Sequence, residues 1–163
     1  MKTKQVHFLT QAAMIAALYV VLTFLANALG LASGIIQVRL SEMLTILPYF
    51  TSAAIPGVTI GCLLSNILTG CSLLDIVFGT IATLIGAFGS YLLRKHKFLV
   101  PLPPIIANII IVPWILRISY GVPDAIPYMM ATVDMGEIIS CGILGMILLF
   151  SLEKYKHIIF KQD

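Results

Sequence analysis

The residues best suited to chemistry are a short polar run, Gln37, Arg39, Ser41 and Glu42, and a scattered set of acids and amides, Asn66, Asp75, Asp134 and Glu137, joined by Arg117. Carboxylates accept N–H donors, whereas guanidinium and amide groups donate to carbonyl oxygens, so this inventory suits recognition of a small polar molecule. It suits bond breaking poorly. His7, His96 and His157 lie in basic stretches away from the acids, which argues against an intramembrane enzyme. Cys62, Cys71 and Cys141 are scattered in apolar surroundings without metal-ligand spacing, so neither a metal nor a cofactor is expected. No Gly-Lys-Ser/Thr phosphate loop is present, and the chain cannot use ATP by itself.

Each candidate also has a plainer role. Asp75 could cap a helix that begins beside it, and Asp134 could cap or sit at an interface. Glu137, one turn deeper, fits a ligand contact or an ion pair. Arg39 and Glu42 are three apart and could pair on a helix surface. Arg117 is either an interfacial anchor or a counter-ion, and Asn66 and Asn108 could join helices through their amides. Phe78 lies one turn past Asp75, where its ring would share the same cavity. Trp114 and Tyr120 read as members of an interfacial aromatic belt.

The elements that must position these groups are set by composition. The 163 residues are 60% hydrophobic and only 10% charged, with a mean hydropathy of +1.04. Soluble domains carry about 25% charged residues. Such a chain cannot cover an apolar core with a polar surface, so the lipid bilayer is its solvent. A single all-α membrane domain over residues 1–163 is expected, with the first segment retained rather than cleaved. The net charge of +3 is read as topology and headgroup contact, not nucleic-acid binding.

Basic residues cluster at Lys2, Lys4 and His7, at Arg94–Lys97, and at Lys154, Lys156, His157 and Lys161. Apolar stretches at 8–29, 72–93, 101–117 and 131–152 are clear spans. The uncharged region between residues 43 and 74 is too long for one and is interrupted by Pro48, Pro56 and Gly57, so two short helices, 40–54 and 56–69, are predicted. Parity selects six spans: only an even count places all three basic clusters, and both termini, in the cytoplasm. The polar candidates then converge on the outer half of the bundle, where membrane-embedded charges face a cavity or a partner.

The first helix carries two small-residue spacings, Ala12/Ala16 and Ala13/Ala17, near its cytoplasmic end. Small side chains four apart let another helix approach closely. Packing within the bundle would use them, and so would docking to a second protein. A pure scaffold would use this stripe but leaves the outer polar cluster without purpose.

The stretches Ala12 to Thr23, Ile36 to Leu44 (Ile-Gln-Val-Arg-Leu-Ser-Glu-Met-Leu), Gly61 to Asn66 and Leu74 to Leu84 (Leu-Asp-Ile-Val-Phe-Gly-Thr-Ile-Ala-Thr-Leu) resemble the QueT family over essentially the whole chain. The resemblance implies a substrate-binding S component of an energy-coupling factor transporter. It would capture a queuosine precursor outside and dock on a transmembrane coupling protein (T component) carrying two ABC ATPase subunits. It also implies release of the substrate inward by toppling, and contact with the coupling protein through Ala12, Ala13, Ala16 and Ala17. A 7-deazaguanine base offers adjacent N–H donors beside a carbonyl. Glu42, Asp75 or Glu137 would suit the donors and Gln37, Asn66 or Arg39 the carbonyl, with Phe78 over the ring. An S component for another vitamin or nucleobase is the alternative.

Overall fold

The computed structural model describes residues 2–32 and 36–159. Residues 33–35, in the loop predicted to face outward, and Lys161 lie outside them, as do the side chains of Lys2 and His157. Among the described residues every regular element is helical. Helix α1 (Lys2–Ala28) is followed by a 3₁₀ helix (Leu40–Tyr49) and α2 (Ala54–Leu68). A π-helical segment (Asp75–Gly79) runs into α3 (Thr80–Leu92), and a short 3₁₀ turn (Lys97–Leu99) leads to α4 (Leu102–Ser119). Helix α5 (Ile126–Glu137) continues through a second π-helical segment (Ile138–Leu144) into α6 (Gly145–Glu153), and α7 (Lys156–Ile159) closes the described chain.

Four stretches are long and apolar enough to cross a membrane: Thr3–Ala28, Asp75–Leu92, Lys97–Ser119 and Ile126–Glu153. Large apolar side chains such as Leu9, Leu18, Ile85, Ile106 and Ile147 point outward along them. In water a surface of this kind would aggregate, and in lipid it is solvated. The two remaining segments are shorter, about 20 Å for the 3₁₀ helix and about 22 Å for α2 at their respective rises.

The predicted break at Pro56 is displaced. The chain turns at residues 50–53, and Pro56 falls in the first turn of α2, where a missing N–H costs no helical hydrogen bond. Pro48 lies buried inside the 3₁₀ helix. The last membrane stretch begins at Ile126, with a proline in its first turn, rather than at residue 131. Asp134 is therefore in mid-helix and caps nothing.

Contacts fix the direction of each segment. The 3₁₀ helix starts next to Thr23 through Ser41 and ends where Tyr49 donates to Glu153 Oε1 at 3.3 Å. Thr51, in the turn before α2, donates to Gln11 in α1 at 3.0 Å. Lys97 pairs with Glu153 at 3.4 Å. Lys97 and Glu153 thus meet at one end of the bundle, and Arg94 and Lys154 lie close by in sequence. The opposite end gathers the polar residues.

Close backbone approach between α1 and α2 depends on glycine. A Cβ at Gly61 would lie 2.6 Å from Tyr19 Cβ, and one at Gly57 2.9 Å from Ile15 Cβ and 3.0 Å from the Ala12 carbonyl. Ala12 and Ala16 are buried in this contact, whereas Ala13 and Ala17 are exposed on the other face. The two alanine pairs expected to act together are separated by the fold, and Ala12/Ala16 serves internal packing.

Candidate functional site

At the end of the bundle remote from the Lys97–Glu153 pair lies a cavity of about 350 Å³. That is within the range of small-ligand sites, roughly 300–1,000 Å³. Helix α1 contributes Tyr19, Thr23 and Asn27, which recur every fourth residue and so form one polar stripe. The chain before the 3₁₀ helix contributes Gln37 and Arg39, its first turn Ser41, α2 Ser65 and Asn66, and the residue after α2 Thr69. Cys71, Asp75, Leu116 and Tyr120 also line the cavity.

Asp75 is 5% exposed. Its Oδ2 accepts from the Tyr120 hydroxyl at 3.2 Å, and Asn66 Nδ2 donates to its backbone carbonyl at 3.3 Å. Its Oδ1 is buried and accepts no hydrogen bond among the described residues. The capping role goes to Ser72, whose Oγ accepts the Asp75 N–H at 3.2 Å. Partial desolvation pushes the Tyr120 phenol above its ordinary pKa, opposed by the Ser72 N–H bond at 3.1 Å and reinforced by Asp75. The hydroxyl therefore remains a donor at neutral pH.

Glu42 is 1% exposed and accepts from the Tyr19 hydroxyl at 2.5 Å, which ties α1 to the 3₁₀ helix. Its Oε2 is buried and accepts no hydrogen bond among the described residues. Glu137 lies behind this wall, lining a gap of about 30 Å³ with Gln37, Arg39 and Thr132, room for about one water. Arg39 borders both spaces. It is within electrostatic range of Asp75, Glu42 and Glu137, yet among the described residues the only ion pair within 4.0 Å is Lys97–Glu153. The helix-surface pair of Arg39 with Glu42 does not form. Polar groups lacking partners surround a void in which a ligand could supply them.

Six of the seven predicted ligand residues, Gln37, Arg39, Glu42, Asn66, Asp75 and Glu137, meet in or directly behind this cavity. Phe78 does not. It is 46% exposed and lines an apolar groove with Leu74, Ile110 and Trp114. A π turn takes more residues than an α turn, so three positions after Asp75 the side chain has left the Asp75 face. Arg117 also lies apart, donating to the Asp124 carbonyl at 2.8 Å and pinning its own loop. The sequence reading missed Tyr19, Thr23, Asn27 and Tyr120 as cavity residues. The 19/23/27 spacing was the available signal for the first three.

Glu42, Glu137 and Cys141 bring potential metal-ligand atoms within 4.8 Å of one another, a grouping their distance in sequence conceals. The Cys141 thiol lies 3.3 Å from Glu137 Oε2, 3.4 Å from the Glu42 carbonyl and 3.4 Å from Thr45 Oγ1.

A family model described as QueT transporter matches residues 9–154. The queuosine precursor transporter QueT of Lactococcus lactis subsp. cremoris (strain MG1363) is 38% identical over 85 residues, 52% of this chain and 50% of that protein. The match thus spans about half the length of that relative. No solved structure matches the chain.

Proposed function

The chain belongs to the QueT transporter family, and from this we propose that it is the substrate-binding membrane subunit of an energy-coupling-factor importer for a queuosine precursor. The observation that carries this reading is the polar cavity. Arg39 stands there without an ion-pair partner among the described residues, beside a buried, unpartnered Asp75 Oδ1. A 7-deazaguanine base supplies both missing halves. Its ring N–H and amino groups donate to a carboxylate, Asp75 or Glu42. Its carbonyl accepts from Arg39, Gln37 or Asn66. The aromatic cover assigned to Phe78 passes to Tyr19 and Tyr120, which line the cavity.

In this reading all six segments cross the membrane, the two short ones shielded within the bundle. Both termini and the Arg94–Lys97 stretch are cytoplasmic, and the cavity opens outward. The exposed Ala13/Ala17 face of α1 takes the transmembrane coupling protein, whose two ATPase subunits provide the energy. The family relationship supports transport, and the apolar helices support membrane residence.

Calorimetry on the purified protein in detergent tests the substrate. Stoichiometric binding of a 7-deazaguanine, with no heat from riboflavin or thiamine, is expected. Binding of one of those vitamins instead would transfer the chain to the alternative, a subunit for another nutrient.

A further inference from the structure

The segment from Gln37 to Glu42 reaches the cavity from a loop, yet it is held in register by one helix. An added Cβ at the buried Gly136 would collide with the Gln37 carbonyl oxygen, so the two backbones touch directly. One turn on, Ser140, 1% exposed, accepts the Arg39 N–H at 3.1 Å and donates to the Gly136 carbonyl at 2.9 Å. The Cys141 thiol then lies 3.4 Å from the Glu42 carbonyl and 3.3 Å from Glu137 Oε2, with a single proton to share between them. Three successive contacts on α5 and the π-helical segment after it therefore meet Gln37, Arg39 and Glu42 in order.

We infer that Gly136 and Ser140 are positioning residues for ligand recognition, setting the depth at which Arg39 and Gln37 enter the cavity. Gly136 is required because only a residue without a side chain admits the Gln37 carbonyl. Ser140 is required because its oxygen accepts a partly buried backbone N–H that has no other acceptor among the described residues. Neither residue lines the cavity, so both act through the segment they hold. The inference rests on the cavity being the ligand site.

Two measurements on the full chain test it. In the ligand-free protein, hydrogen exchange at the Arg39 amide is expected to quicken about tenfold or more in Ser140→Ala, as its acceptor is lost. With 7-deazaguanine as the probe, Ser140→Ala is expected to weaken binding by about fivefold to tenfold, and by less than about twofold in an Arg39→Ala background, because the effect travels through Arg39. Gly136→Ala is expected to weaken binding further, and Gln37→Ala not to restore it, since the collision is with backbone. Equal losses in both backgrounds, no loss at all, or unchanged Arg39 exchange would overturn the inference. If the wild type binds no deazaguanine, the functional reading fails, while the Arg39 exchange rate still decides whether Ser140 seats the segment.

Discussion

Tyr120 donates its hydroxyl to one oxygen of Asp75 and leaves the other oxygen buried and without a partner among the described residues. The carboxylate is thereby fixed in orientation with one lone-pair site held open. Asp75→Asn removes the charge and half of the acceptor capacity, and it should weaken deazaguanine binding by about 10- to 100-fold, the loss of one charge-assisted hydrogen bond. Tyr120→Phe removes the orienting bond, together with the acceptor of the Ser72 N–H, and should cost about three- to tenfold. Titration of both variants checks the order. An equal effect of the two would mean that Asp75 does not touch the ligand.

Phe78→Ala should leave binding within about twofold of wild type, because the ring faces the groove formed with Trp114 rather than the cavity. Tyr19→Ala should weaken it strongly. If Phe78→Ala is the more damaging change, the groove and not the cavity holds the ligand.

What the sequence revealed and concealed follows from physical cause. Hydropathy located the four long stretches because each has enough apolar residues to span lipid. The rows of polar residues near one end were legible because a charge in a membrane demands a cavity or a partner. Boundaries set by backbone detail were not legible. Pro56 signalled a break but occupies a first turn, and nothing in Leu40–Tyr49 announces a 3₁₀ rather than an α helix. Phe78 was misplaced because α periodicity was assumed across a π-helical segment. Tyr120 was read as an interfacial anchor, since its bond to Asp75 joins residues 45 positions apart.

Gly61→Ala should lower thermal stability and binding together. Its Cβ would lie 2.6 Å from Tyr19 Cβ, so α1 and α2 must separate. Overpacking of this kind costs about 1–3 kcal/mol. A thermal-shift assay with and without ligand reads both effects, and an unchanged melting temperature would show that the helix pair is looser than described.

The two alanine pairs of α1 should respond differently. Ala13→Trp, on the exposed face, should abolish uptake in cells while leaving ligand binding within about twofold. Ala12→Trp, buried against α2, should reduce expression and stability instead. Uptake and binding measured on the same variants check this. Normal uptake by Ala13→Trp would remove the coupling protein from that face.

The most direct test of the proposal that the cavity faces outward and holds the ligand uses a native thiol. Cys71 lines the cavity and is partly accessible, whereas Cys62 and Cys141 are buried. A membrane-impermeant maleimide added to intact cells should label wild type but not Cys71→Ser, and saturating 7-deazaguanine should suppress the labelling. Labelling from the cytoplasmic side alone, or labelling that the base leaves unchanged, would contradict the account.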